Sequence, residues 1–183
     1  MIPHIPFHFL RHGETDWNLA RKMMGRADIP LNATGRAQAE AARQAAAGLG
    51  LRSIVASPLA RARETAEIVN HRLQLPLTLF DDLLEVDVGP LQGTSDPDWM
   101  AHWHAGEAMA GVESFVAFCR RIARGFTEAL QLEQPVLIVS QGGVFSAVEK
   151  LIGRAEGTDI PNAVLTRFEP PSPERNQWRI MLA

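Results

Sequence analysis

The feature that most constrains this chain is an alternation of short apolar runs with stretches of helical periodicity. The runs are Ile5 to Leu10, Ser53 to Ser57, Leu77 to Phe80, Val136 to Ser140, Ala163 to Phe168 and Gln177 to Leu182. Each has the length and composition of a β-strand and is too short for a buried helix. Between them, the Ala-rich segment Thr34 to Leu49 ends on Gly48 and Gly50, which predicts a helix closed by glycine. Ser57 and Pro58 offer an N-cap and a first-turn proline for a helix running to about Leu73. Phe115, Phe118, Ile122 and Phe126 recur at three- and four-residue steps and predict a helix over Val112 to Leu132, with Cys119 beside the stripe as a core thiol. A fourth helix follows Gly142-Gly143 and ends near Gly153. Strands alternating with helices imply a three-layer α/β/α sandwich around a mostly parallel central sheet covered on both faces. The C-terminal pair departs from this rule. Glu169 to Arg175 carries three prolines between two β runs and reads as a hairpin-like loop that adds edge strands.

Composition bounds what such a sandwich can bind. The 183 residues fit one domain, 1–183, and 46% apolar with 21% charged residues suffice for a core. Lys and Arg total 18 against 21 Asp and Glu, a formal charge of −3, so no global field draws the chain to nucleic acid or anionic lipid. An anion site must therefore be local. The single cysteine excludes an intrachain disulfide framework and any multi-cysteine metal site, and it fits a reducing compartment, with cytoplasm the default. The N-terminus has no basic region ahead of its short apolar stretch and does not read as a signal peptide. The longest uncharged run, Gln134 to Val148, is too short and too polar to span a bilayer. A soluble protein with neither nucleic-acid nor membrane partners is expected. Whether it is a monomer or a homodimer is left open by these residues.

In open α/β sheets ligands sit beyond the carboxyl ends of the strands, beside helix N-termini that attract anions. The first strand exits through Arg11, His12 and Gly13, the second through Ser57 toward Arg61, and the fourth through Ser140, Gln141, Gly142 and Gly143. All three exits offer anion donors. On a helix begun at Pro58, Ser57, Arg61 and Thr65 share one face, and Arg63 is turned about 200° from Arg61. Arg61 is the better ligand candidate and Arg63 is expected in solvent. His8, inside the first strand, is read as core.

These residues carry a resemblance. Leu10-Arg11-His12-Gly13-Glu14-Thr15-Asp16-Trp17-Asn18 resembles the Arg-His-Gly-x-Thr-x-x-Asn signature of the histidine phosphatase superfamily, in its phosphoglycerate-mutase-like branch. Further matches follow in family order: Pro30-Leu31 with Thr34-Gly35 and Gln38-Ala39, then Ser57 to Ala66, then Leu84-Glu85 with Gly89 and Gly93, then Gly111 to Ser114 with Arg121. The match runs from Phe7 to about Gly153. The phytase and acid phosphatase branch fits less well, since it usually has Arg where Thr15 stands. The resemblance implies phosphoryl transfer through a covalent phosphohistidine on a small phosphorylated substrate. His12 would be the nucleophile, Arg11 and Arg61 the clamp on the phosphoryl oxygens, and Asn18 a neutral donor. Glu85 would protonate the departing alkoxide and then activate water, and its pKa should be raised in the folded site. Asp87 is its rival in an acidic stretch that also holds Asp81 and Asp82. No metal or other cofactor is implied, because guanidinium groups stabilise the transferring charge. The segment 94–111, with Trp99, His102, Trp103, His104 and Met109, reads either as a lid over the site or as a partly buried helix face.

One position departs from the pattern. Where the family ordinarily places a second histidine, this chain has Gln141, between Ser140 and Gly142-Gly143. An amide still donates a hydrogen bond, yet it carries no charge. A hydrogen bond to a charged group contributes roughly 1.5 to 3 kcal/mol, so the replacement should slow turnover about tenfold to 150-fold if the contact acts alone. The leading expectation is thus a working phosphomonoester hydrolase, slowed at Gln141. A protein that keeps the phosphate cradle only to bind a phosphorylated ligand or partner is the alternative. A phosphosugar mutase ranks lower, because the stretch between Glu85 and Gln141 is short for the substrate-binding insertions of phosphoglycerate mutases.

Overall fold

A computed structural model describes residues 1–96, 98–156 and 158–182. Among them six strands form one sheet: β1 (Phe7–Arg11), β2 (Ser53–Ala56), β3 (Leu77–Leu79), β4 (Val136–Ser140), β5 (Leu165–Glu169) and β6 (Arg179–Leu182). The order is β3-β2-β4-β1-β5-β6. The pairings β2 with β3, β2 with β4 and β1 with β4 are parallel, while β5 pairs antiparallel with both β1 and β6. The sheet is therefore mixed, parallel through its centre with an antiparallel C-terminal hairpin at one side, as the proline-rich turn implied.

The helices are α1 (Asp16–Leu19), α2 (Ala33–Ala46), α3 (Ala60–Asn70), α4 (Trp99–His104), α5 (Phe115–Ala129) and α6 (Gly142–Leu151), with 3-10 turns at Asp81–Leu83 and Gly89–Leu91. Side chains alternate across the strands, so each face of the sheet has its own core. Phe7, Phe9, Val55 and Ile138 pack with Phe118, Ile122 and Phe126 of α5 and Phe145 of α6. On the opposite face Leu10, Ile54, Ala56, Leu137 and Val139 meet Ala42 and Ala46 of α2 and Ala62, Ala66 and Val69 of α3. Small residues on α2 and α3 let those helices lie close to the sheet. Cys119 is buried in the aromatic core, where burial pushes its thiol up to about 11, so it stays protonated as a packing group.

One expected boundary is corrected. Ser57 does not cap α3; the N-cap is Leu59, in an extended conformation, and the helix begins at Ala60. The Ser57 hydroxyl instead accepts a hydrogen bond from Gln141 Nε2 at 2.9 Å. A partner from another strand outcompeted the local cap.

The register explains why three separate exits meet. Arg11 lies opposite Ser140 and Ala56 opposite Val139, so β1, β2 and β4 end at one level. His12 N–H donates to the Ser140 carbonyl at 2.9 Å and Ser57 N–H to the Val139 carbonyl at 3.0 Å, which carries this alignment one residue past each strand. Gly13 and Gly35 make the next step possible. A Cβ on Gly13 would run into the Gly35 carbonyl, and one on Gly35 would run into the Glu14 carbonyl. Only two glycines allow the β1 exit and the start of α2 to pass so closely.

Candidate active site

The β1 exit places His12 in the interior, 1% exposed. Its Nδ1 lies 2.7 Å from the Gly13 carbonyl oxygen, which can only accept, so Nδ1 carries the proton. Nε2 is left as the ring's lone pair. Burial, then Arg61 and Arg11, hold the imidazole well below its usual range, and it is neutral at physiological pH. The following turn is fixed by Thr65, whose hydroxyl accepts from Gly13 N–H at 3.0 Å and donates to the Arg61 carbonyl at 2.7 Å.

Arg61, in the first turn of α3, is fully buried. Its Nη1 and Nη2 donate to the carbonyls of Ala27 and Gly25, both at 2.8 Å. Arg11 Nη1 donates to the Ile160 carbonyl at 2.6 Å, and the exposed Asp159 carboxylate lies 3.7 Å from the same nitrogen. Burial lowers both arginines' pKa values, and Glu85 offsets part of that shift in each. Arg61 engages both terminal nitrogens and Arg11 its Nη1, while the buried Nε of each has no partner. Arg63 points to solvent beside Glu67, as its position on the helix required.

Glu85 follows the first 3-10 turn. Its Oε1 accepts Val86 N–H at 2.9 Å, and its Oε2 accepts Gly143 N–H at 3.1 Å from the first turn of α6. Burial raises its pKa, opposed by those two donors and by Arg61 and Arg11. A Cβ on Gly143 would strike the Glu85 carboxylate and push it aside, so glycine there keeps Glu85 in place. The backbone of this loop is clamped from outside. Arg121 donates to the carbonyls of Leu84 at 2.8 Å, Asp82 at 3.1 Å and Glu85 at 3.3 Å, and Glu113 binds Arg121, Arg26 and the Asp87 amide together. Asp87 is turned to Gly89 N–H and is half exposed.

His12, Arg11, Arg61, Glu85 and Gly142 line one cavity of about 390 Å³. That volume suits a small organic ligand. Asp87 is not on its wall, so of the two rival carboxylates the fold brings Glu85 to the histidine. Asn18 and Gln141 are not on the wall either. Asn18 closes a capping box with Thr15 at the start of α1, its Oδ1 accepting Thr15 N–H at 3.1 Å. Gln141 is completely buried; its Nε2 donates to Ser57 and its Oε1 receives the Ser140 hydroxyl at 2.7 Å.

Sequence reasoning missed much of the remaining wall. Arg21, Lys22, Met23, Met24 and Gly25 form one side, and Thr158, Asp159 and Ile160 another. No periodicity marks these loop residues. Trp99, Met100 and Trp103 of α4 complete the cavity. Trp103 is 1% exposed and its indole N–H donates to the Glu113 carbonyl at 2.8 Å, so α4 packs as a partly buried helix that also walls the site. His102 is exposed and paired with Glu107, and neither His102 nor His104 reaches the cavity. Residue 97 of this segment lies outside the described residues. His8 is buried within β1, as read from the sequence. Among the described residues no cluster of His, Cys, Asp and Glu is arranged to hold a metal, and no helix is long and apolar enough to cross a membrane.

Comparison with known proteins places this geometry in a context. The model of the histidine phosphatase superfamily, branch 1, matches residues 7–180. The chain is 34% identical to a protein named uncharacterized phosphatase PhoE of Bacillus subtilis (strain 168), over 93% of this chain and 90% of that one. It is 41% identical to probable phosphoglycerate mutase GpmB of Citrobacter koseri, over 46% of this chain and 40% of the mutase. Among solved structures, a mycobacterial glucosyl-3-phosphoglycerate phosphatase complexed with VO3 superposes with a TM-score of 0.82, at 27% identity, covering 97% of this chain and 96% of that one.

Proposed function

The chain belongs to the histidine phosphatase superfamily, branch 1, and on that footing we propose that it is a phosphomonoester hydrolase that works through a phosphohistidine on His12. The observation that carries the reading is the convergence of Arg11, Arg61 and Glu85 on one cavity beside a neutral His12. Two guanidinium groups lining one small cavity supply the positive charge that a phosphoryl group needs.

In the first step the His12 Nε2 lone pair attacks phosphorus, the bond to the ester oxygen breaks, and the departing alkoxide takes the proton of Glu85. In the second, the Glu85 carboxylate takes a proton from water, the water oxygen attacks phosphorus, the P–N bond breaks, and Nε2 recovers its lone pair. Arg11 and Arg61 stabilise the charge on the equatorial oxygens throughout. The raised pKa of Glu85 suits a group that must begin protonated. Asn18 acts one step back, by holding the Thr15 turn. No metal enters this scheme.

Gln141 supports a second reading. Its amide is spent on Ser57 and Ser140, and it adds no charge to the anion site, which is what a binding protein that retains only the cradle would tolerate. A mutase reading ranks third, since between Glu85 and Gln141 the described residues form only a 3-10 turn, α4, α5 and β4. The test is hydrolysis of an aryl phosphate by wild type, His12→Ala and Gln141→His, with isolation of an acid-labile phosphoenzyme. Turnover by wild type with loss of both turnover and phosphoenzyme in His12→Ala supports the hydrolase. Wild type as inactive as His12→Ala, with activity gained in Gln141→His, overturns it in favour of the binding protein. Transfer to a sugar hydroxyl in preference to water would establish the mutase.

A further inference from the structure

We propose that Glu149 is a positioning residue for the phosphate clamp, acting through Thr158 on the strap of chain that orients Arg11. The inference rests on the reading above only in taking Arg11 as an anion ligand.

Between α6 and β5 the described residues from 152 to 164 form neither helix nor strand. A connection of that length inside a compact domain ordinarily has a task. This one returns across the end of β1 and fastens to it three times. The Ile160 carbonyl receives Arg11 Nη1 at 2.6 Å, Asn162 Nδ2 donates to the His12 carbonyl at 2.8 Å, and Ala163 N–H donates to the Arg11 carbonyl at 2.9 Å. The strap thus sets both the peptide that bears the nucleophile and the side chain of its arginine.

Its C-terminal part is held by β5 and by Ile160, which is buried in the aromatic core. Its N-terminal part is tied to α6 by backbone bonds from Gly153 and Arg154, and residues 153–155, Thr158 and Asp159 are exposed. Glu149 adds a side-chain hold farther along, at Thr158. Its side chain comes from the last turns of α6, only 1% of the residue is exposed, and its carboxylate receives both the backbone N–H of Thr158, at 3.2 Å, and the Thr158 hydroxyl. A carboxylate that deep in a fold is costly unless it is hydrogen-bonded, and two of the bonds that hold this one come from Thr158 of the strap. The Lys150–Glu156 pair at 2.7 Å ties the same strap but is exposed at the lysine and therefore weak. For the same reason the contact between Asp159 and Arg11 contributes little: the carboxylate is fully exposed and 3.7 Å away. The directional hold on Arg11 is the Ile160 carbonyl, two residues from Thr158.

One helix then serves two site groups. Its N-terminus donates Gly143 N–H to Glu85, and two turns later Glu149 fastens the strap behind Arg11. A misplacement of about 1 Å in a bidentate clamp is enough to lower activity on the order of a hundredfold, and a loosened strap does part of that.

The test is calorimetric binding of inorganic phosphate to wild type, Thr158→Val, Thr158→Ser and Glu149→Gln, with melting curves without phosphate and kcat and KM on an aryl phosphate. Thr158→Val and Glu149→Gln should weaken phosphate binding about three- to tenfold, and Thr158→Ser should retain the wild-type affinity. The same two variants should raise KM more than they lower kcat. Because Thr158 is exposed, Thr158→Val reports on the strap even if Glu149→Gln is poorly folded. Unchanged phosphate affinity in Thr158→Val and in folded Glu149→Gln, with only the melting temperature lowered, overturns the proposal. A wild type that binds phosphate without turnover sinks the hydrolase reading and leaves this one standing if the variants bind more weakly. Absence of phosphate binding in every protein removes both.

Discussion

At the floor of the cavity, His12 and Arg61 are 1% and 0% exposed, and most of their polar atoms meet a named partner. At the rim, Arg21, Lys22, Asp96 and Asp159 carry their charges into solvent. The difference is one of dielectric as much as of position. Charges on the floor interact through protein and lose little to screening, whereas charges at the rim interact through water and salt. On the proposed reading, chemistry belongs to the floor, and the rim chooses and steers the leaving group.

The largest effect expected from this contrast is at His12. His12→Ala should lower hydrolysis by roughly four orders of magnitude or more, measured as turnover of an aryl phosphate. An equal loss from any rim substitution would break the contrast.

The two arginines sharpen it next. Each should lower kcat/KM by about 10² to 10³ when changed to Ala, since each is asked to stabilise developing charge. Their stability costs should differ. Arg61→Ala leaves the buried carbonyl of Gly25 and the partly buried one of Ala27 without their donors, at about 1–3 kcal/mol for the buried one, and Arg11→Ala leaves only the partly buried one of Ile160. Melting curves should show Arg61→Ala the less stable of the two, and the opposite order would show that Arg61 is not the keystone of the 25–27 turn.

Glu85 makes the contrast pH-dependent. The first step needs Glu85 protonated and His12 neutral, so kcat/KM should fall as pH rises through the raised pKa of Glu85 and fall again below the depressed pKa of His12. The optimum is therefore displaced to the acid side. Glu85→Gln should lose about 10² on an alkyl phosphate, less on an aryl phosphate with a better leaving group, and should erase the alkaline limb. Stability carries the same sign. A carboxyl whose folded pKa is raised favours folding below its ordinary value, and that contribution is lost as pH climbs through the raised value. Relative to Glu85→Gln, wild type should lose melting temperature across that window. An alkaline limb that survives in Glu85→Gln would assign the acid elsewhere.

The smallest effects are expected at the rim. Trp99→Ala and Arg21→Ala should change KM a few-fold with kcat nearly constant, and the Arg21 effect should shrink as salt rises toward about 1 M. A large kcat effect at Trp99 would mean that α4 closes over the reaction and is more than a wall.

Much of this molecule was legible before folding. The β4 run was read to its observed ends, and the other strands to within two residues, because a strand's alternation and its bounding turns are local. Arg11, His12, Arg61 and Glu85 were legible as a group because each stands at a strand or loop exit with a recognisable neighbourhood. Less legible were the residues whose role depends on a distant partner. Ser57 looked like a helix cap and serves Gln141, 84 positions away. Gln141 looked like a phosphate donor, and its amide is turned onto two serines. That Glu85 and not Asp87 lines the cavity with His12 turns on Gly143 N–H and on the Glu113–Arg121 clamp, neither of which leaves a mark in the acidic stretch itself.

The sequence by itself determined the layer order, the three exits that carry anion donors, and the absence of a global charge field, because periodicity, capping and net charge are sums over neighbours along the chain. Tertiary structure alone decided which carboxylate faces the histidine, where the Gln141 amide is spent, and which loops wall the cavity. Those outcomes turn on burial and on hydrogen bonds spanning up to 150 residues, as between Asn162 and His12. Whether a buried donor is satisfied or left waiting for a ligand depends on what the fold brings to it, and no window of sequence contains that information.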